Sequence, residues 1–267
     1  MAIQFKIIDH VAVVTLDAQA SNNALSVSDL MHLRKTLSAC QDDEQVRVIV
    51  LTASGERAFC SGASFKEPLR ATSGFIGGAL KSRETEAEEG GYARLFDLID
   101  LEIWKPIIAA VNGACLGAGL ELALQCDLRL ATAEATFGLP QVREANIPAA
   151  GGVQYLLRAV PCVHAMQMAL TGEAISAEEA LRMGLINALV PREDLMPAAL
   201  NLAERVAANG PLAVQSIKRL ALQSVHLTPR EFVAHAHLHW GLLRDSEDHA
   251  EARRALAEQR PPRYTGA

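Results

Sequence analysis

The chain lacks an excess of positive charge. Its 25 lysines and arginines face 31 aspartates and glutamates, a net charge of -6, which argues against a broad nucleic-acid-binding face but leaves room for a local basic pocket. It lacks a run of roughly 18 uninterrupted apolar residues, so no membrane span is expected. The start, MAIQFKIIDHVAVVTLD, lacks a basic stretch followed by a continuous apolar one; no signal peptide and a cytoplasmic location are expected. Its five cysteines (Cys40, Cys60, Cys115, Cys126, Cys162) are odd in number and form no C-x-x-C pair. They read as reduced, mostly buried thiols rather than a disulfide framework or a zinc site. Aromatic residues are few, at 4%. What is abundant is apolar material, 50% of 267 residues, enough for a large core in one large domain or two small ones.

Patterning divides the chain into a mixed first half and a helical second half. Ile7–Leu16 and Val46–Thr52 read as strands, as do Ile107–Val111 and Asp127–Ala131. Ser26–Cys40 carries Leu30, Leu33 and Leu37 at helical spacing, with Ser26 or Ser28 as N-cap. Tyr92–Trp104 is amphipathic and reads as a helix that stops before Pro106. Pro68–Gly91, rich in Gly, Ser, Thr and Glu, reads as a mobile or insertion-prone surface segment. From Gly151 onward the pattern is almost wholly helical. Ser176-Ala-Glu-Glu179 is a capping box, and Thr228-Pro opens a later helix.

Two segments carry chemistry. Ala58-Phe-Cys-Ser-Gly-Ala-Ser-Phe-Lys-Glu67 follows a strand with small residues, which let a ligand approach backbone N–H donors; it also suits an ordinary tight turn. Val111-Asn-Gly-Ala-Cys-Leu-Gly-Ala-Gly-Leu-Glu-Leu-Ala-Leu-Gln-Cys-Asp127 runs from a strand through a glycine turn into a helix. The first N–H groups of that helix suit a developing oxyanion. Glu121 in its first turn is placed either to transfer a proton or simply to complement the helix dipole. Other features are set aside. No G-x-S-x-G elbow surrounds Ser61, and the Gly117–Gly119 turn lacks the third glycine of a dinucleotide fingerprint. His235 and His239 are spaced i, i+4, but no partnering Cys, Asp or Glu pattern supports a metal site; a helix face at a subunit contact is the expectation.

Together these segments resemble the crotonase (enoyl-CoA hydratase/isomerase) superfamily. Asn23-Ala-Leu25 is similar to its N-A-L turn. Phe137-Gly-Leu-Pro-Gln141 through Ile147-Pro-Ala-Ala-Gly-Gly152 resembles its F-G-x-P-E…P-x-x-G-G stretch. Ala169–Asn187 and Ser246–Tyr264 resemble its later motifs, so the likeness covers nearly the whole chain in order. It implies an α/β fold, a crotonase-like spiral of ββα units over 1–195 with a C-terminal helical trimerisation region over 196–267, in one structural unit. It also implies a homotrimer or dimer of trimers, an acyl-CoA thioester as substrate, and no metal or nicotinamide. The oxyanion-hole donors carry over to the N–H groups of Ala63 and Ala118. The first catalytic glutamate carries over to Glu121.

The second glutamate is replaced by Gln141. An amide can orient water but cannot exchange a proton near neutral pH. Glu144, three residues on, shares a face with Gln141 if the segment is a helical turn; it is either a substitute acid/base or a surface charge beside Arg143. Ser64 stands where the family often has aspartate. Lys66 matches a family lysine near the adenosine end of CoA, Arg260 is expected to assist from a neighbouring subunit, and Ala63 and Phe65 complete the CoA-binding set. The acyl tail is expected against the Phe65–Trp104 part of the chain. An enoyl-CoA hydratase-like lyase is the favoured reading. Alternatives are another crotonase reaction (enoyl-CoA isomerase, acyl-CoA decarboxylase or C–C hydrolase) and a non-catalytic acyl-CoA-binding subunit.

Overall fold

A computed structural model describes residues 2–64, 80–87 and 91–267. The chain forms two sheets, and successive segments alternate between them. Six strands, β1 (Ile3–Ile8), β2 (Val11–Leu16), β3 (Val48–Ala53), β5 (Ile107–Val111), β7 (Leu128–Thr132) and β10 (Ala188–Val190), make the larger sheet in the order β1-β2-β3-β5-β7-β10. Four shorter ones, β4 (Ala58–Cys60), β6 (Ala114–Leu116), β8 (Thr136–Gly138) and β9 (Ile175–Ser176), make the smaller sheet in that order. Thus β3 is followed by β4, β5 by β6 and β7 by β8. Each turn of the spiral lays one strand in each sheet, parallel to the strand of the previous turn.

Parallel strands covered on both faces need continuous apolar sequence rather than alternation, and β3 and β5 are buried at every position. One face of the larger sheet, including Ile49, Leu51, Ala109 and Val111, packs into the main core with α1 (Val27–Asp42) through Leu30, Leu33 and Leu37. On the other face Val48, Val50, Ile108 and Leu130 meet a later helix, Leu195–Ala207. That helix presents Leu195, Ala199, Ala203 and Ala207 at every fourth position, a small-residue stripe that lets it lie close to the sheet.

The expected elements stand with three differences. The first strand is a hairpin, because Asp9 turns the chain at φ 50; an Asp-His turn without glycine gives no strong hairpin signal. After Gly151, β9 and β10 interrupt the helices and join one sheet each. Tyr92–Trp104 is not one helix but two short 3-10 turns, Tyr92–Phe96 and Ile99–Leu101. There the backbone is satisfied from outside. Arg34 donates to the carbonyls of Leu95 and Asp97, and Gln125 donates to Phe96 O (2.8 Å) while accepting from Leu98 N (2.7 Å). At Ser176 only half of the expected box forms: its hydroxyl accepts from Glu179 N, while the Glu179 carboxylate pairs with Arg182. Ser26 and Thr228 close complete capping boxes. Of the Pro68–Gly91 segment, residues 68–79 and 88–90 lie outside the described residues. Among the described residues no helix is long and apolar enough to cross a membrane.

Candidate active site

The alternation between sheets brings three turns of chain together. β4, β6 and β8 are parallel neighbours, so the residues after their C-terminal ends emerge side by side. Those residues are Ala63 after β4, Ala118 after β6 and Gln141 after β8. The spiral thereby gathers positions that are 55 and 23 residues apart in the sequence.

Around Ala63 the backbone hydrogen bonds can be followed one by one. Ser61 N donates to Asn22 O (3.1 Å), Gly62 N to the Cys60 thiol (3.4 Å) and Ser64 N to Leu25 O (2.8 Å). Ala63 N has no acceptor among the described residues. The cause is its bridge to Leu25: in parallel pairing the residues on either side of the bridged one make the bonds, here Gly62 O and Ser64 N. The Asn-Ala-Leu turn itself is pinned by buried Asn23, which donates to Ser54 O and Ala58 O and accepts from Ala18 N. Ala118 opens α2 (Ala118–Leu124), and its N–H likewise has no acceptor among the described residues. Ala118 N lies 3.4 Å from where a Cβ on Gly62 would sit, so the two turns are in contact.

Glu121 sits one turn into α2 and is only 2% exposed. Its Oε1 accepts from Ala150 N (2.7 Å) and Gly152 N (3.0 Å), and its Oε2 from Gln141 Nε2 (3.3 Å). Burial pushes its carboxyl above the ordinary 4.5, and the Gly152 and Ala150 N–H groups offset part of that rise. A Cβ on residue 152 would stand 2.7 Å from Glu121 Cγ, so glycine is the residue that lets the backbone reach the carboxylate. The sequence alone assigns no anchoring role to Ala150 and Gly152; the Gly151-Gly152 pair is the signal it offers.

Gln141 lies in the 3-10 turn Pro140–Glu144. Its Oε1 is buried and accepts no hydrogen bond from any described residue. Three residues per turn place Glu144 on the same face as Gln141, but Glu144 is exposed and its charge acts on Tyr92. Among the described residues its carboxylate makes no hydrogen bond to Glu121 or Gln141. Arg260 pairs with Glu251 (2.5 Å) and Glu258 (2.6 Å), in a cavity lined by Asp248, Arg254, Arg263 and Thr265, a lining that includes none of Ala63, Ala118, Glu121 and Gln141. Phe65 and Lys66 lie outside the described residues. No cluster of His, Cys, Asp or Glu able to hold a metal occurs among the described residues, His235 and His239 included.

A family model described as Enoyl-CoA hydratase/isomerase matches residues 6–267. The chain belongs to that family. Among curated family relatives, (E)-benzylidenesuccinyl-CoA hydratase of Thauera aromatica is 39% identical over 269 residues, covering all of both chains. The 2,3-dehydroadipyl-CoA hydratase of Escherichia coli is 35% identical over 96% of this chain and 95% of its own. The crystal structure of an enoyl-CoA hydratase from Bacillus anthracis superposes with a TM-score of 0.89 at 30% identity, covering both chains in full. The spiral expected from the crotonase resemblance is therefore this chain's fold.

Proposed function

We propose that the protein hydrates an α,β-unsaturated acyl-CoA thioester, with Glu121 as its one proton-transferring carboxylate. The carrying observation is the division of labour between Glu121 and Gln141. Oε1 of Glu121 is occupied by two backbone donors, so Oε2 is the oxygen left to exchange a proton. The amide that touches Oε2 offers a buried carbonyl oxygen with no protein donor. Leaving such an acceptor unsatisfied costs about 1–3 kcal/mol, which matches it to an O–H donor such as the attacking water. In this reading the Ala63 and Ala118 N–H groups hold the thioester oxygen. Water adds its oxygen to the β-carbon and gives a proton to Glu121 Oε2, while the double-bond electrons move onto the thioester as an enolate. Glu121 then returns the proton to the α-carbon, and the balance is addition of one water.

The family and the hydratases among its relatives support this chemistry. We also propose an oligomer built on the C-terminal helices, where Ile217, Val233, Leu238 and Leu242 are exposed; exposed apolar surface of this kind marks subunit contacts. A role at the CoA phosphates for Lys66, as a point charge, and for Arg260 of a neighbouring subunit, through its planar guanidinium, is part of the same proposal. The test is product analysis on crotonyl-CoA. A 3-hydroxyacyl product is expected, with turnover by Gln141→Ala lowered about 10- to 100-fold. A shifted double bond without added water would assign isomerisation, and binding without turnover of any thioester would assign a non-catalytic subunit; either result would overturn the proposal.

A further inference from the structure

The Cys60 thiol brackets Gly62. It accepts from Gly62 N at 3.4 Å and lies 3.8 Å from Gly62 O, to which its S–H is directed. Gly62 O also accepts from Leu25 N at 2.9 Å. The peptide joining Gly62 to Ala63 is planar and trans, so its N–H points opposite its C=O. Whatever fixes Gly62 O therefore fixes the direction of the Ala63 N–H. Cys60 also reaches the neighbouring turn. A Cβ on Gly119 would lie 2.1 Å from Cys60 O and 2.8 Å from Cys60 Cβ, so α2 rests directly on Cys60. Across the sheet Cys60 is in register with Cys115, whose thiol donates to Gly119 O at 3.5 Å. Burial lifts the Cys60 thiol to about 12, which keeps it a neutral S–H, able to donate and accept but inert as a nucleophile.

We infer that Cys60 is a positioning residue, which aims the Ala63 N–H at the thioester oxygen and sets its spacing from the Ala118 turn. The inference rests on the oxyanion reading above but not on which reaction follows. A bond to sulfur is weak, yet small misplacement of a catalytic donor is expensive in rate.

The experiment compares Cys60→Ala, Cys60→Val and Cys60→Ser with the wild-type protein. It reads kcat and KM on crotonyl-CoA, Tm, and the infrared carbonyl stretch of bound butyryl-CoA, which cannot be hydrated. Wild type is expected to shift that stretch to lower frequency. Alanine, and valine, which refills the space without an acceptor, should lose most of the shift and lower kcat about tenfold, with KM within about twofold. Serine, which can both accept and donate, should recover the shift and most of the rate. Should alanine fail to fold, the valine and serine pair decides. Retention of the wild-type stretch in alanine and valine, or serine behaving like alanine, overturns the inference. Absence of any shift in the wild type overturns it through the oxyanion reading itself. Absence of hydration with the shift intact strikes only the proposed reaction.

Discussion

Every residue of β4 is buried, and beyond it the turn that carries Ala63 has its neighbouring N–H groups bonded within the same chain. The 16-residue helix Pro229–Arg244 is the opposite case. It has no buried residue, and Val233, Leu238, Trp240 and Leu242 all face outward. Among the described residues one region is finished by its own chain, with the Ala63 N–H left unmatched. The other presents an exposed apolar surface that its own chain leaves uncovered among the described residues, the surface on which the proposed oligomer is built. The contrast separates two placements of the 50% apolar content: core beneath the site, and exposed surface along the C-terminal helices.

Substitutions can sharpen that contrast. The largest effect short of the glutamate itself is expected from Gly152→Ala. Its Cβ meets Glu121 Cγ at 2.7 Å, so steady-state turnover should fall about 100-fold while chemical denaturation shows a loss of only about 1–3 kcal/mol. A loss of folding with residual turnover unchanged per folded molecule would contradict the anchoring role. Next comes pH. Burial raises the Glu121 pKa, and the carboxylate is the form that accepts water's proton. Turnover should therefore fall on the acid side through a pKa above 4.5, about tenfold per pH unit below it. The same shift has a stability sign. The folded protein holds this proton more tightly than the unfolded chain, so ionising Glu121 costs stability as pH rises from 4.5 through the folded value. Third, Leu238→Asp should reduce the assembly mass seen by light scattering while leaving Glu121 and its partners intact. The smallest effect is expected from Glu144→Gln. An exposed carboxylate with no bond to Glu121 should change turnover by no more than about twofold.

How much was legible follows the same division. Glu121 and the turns at Ala63 and Ala118 could be read because local sequence makes them: a strand, small residues, then a helix start. The complete boxes at Ser26 and Thr228 are local too. The 3-10 turns between Tyr92 and Leu101 could not be read, because Arg34 and Gln125, distant in sequence, take over their backbone partners. The hold on Glu121 from Ala150 and Gly152 is likewise tertiary, and composition carries no trace of it; the Cys60 bracket of Gly62 is local, but it depends on the turn geometry that the Leu25 bridge imposes. The Gln141 replacement was visible in the sequence, but not that its amide nitrogen meets Glu121 while its oxygen is left without a protein donor.

The central claim is that one buried carboxylate moves the proton. It is tested most directly by the hydration rate of Glu121→Gln, whose amide oxygen can still accept from Ala150 N and Gly152 N. With the wild-type Tm retained or raised at neutral pH, the rate on crotonyl-CoA should fall about 1,000-fold or more. A rate within tenfold of wild type, from a protein folded as the wild type is, would contradict it.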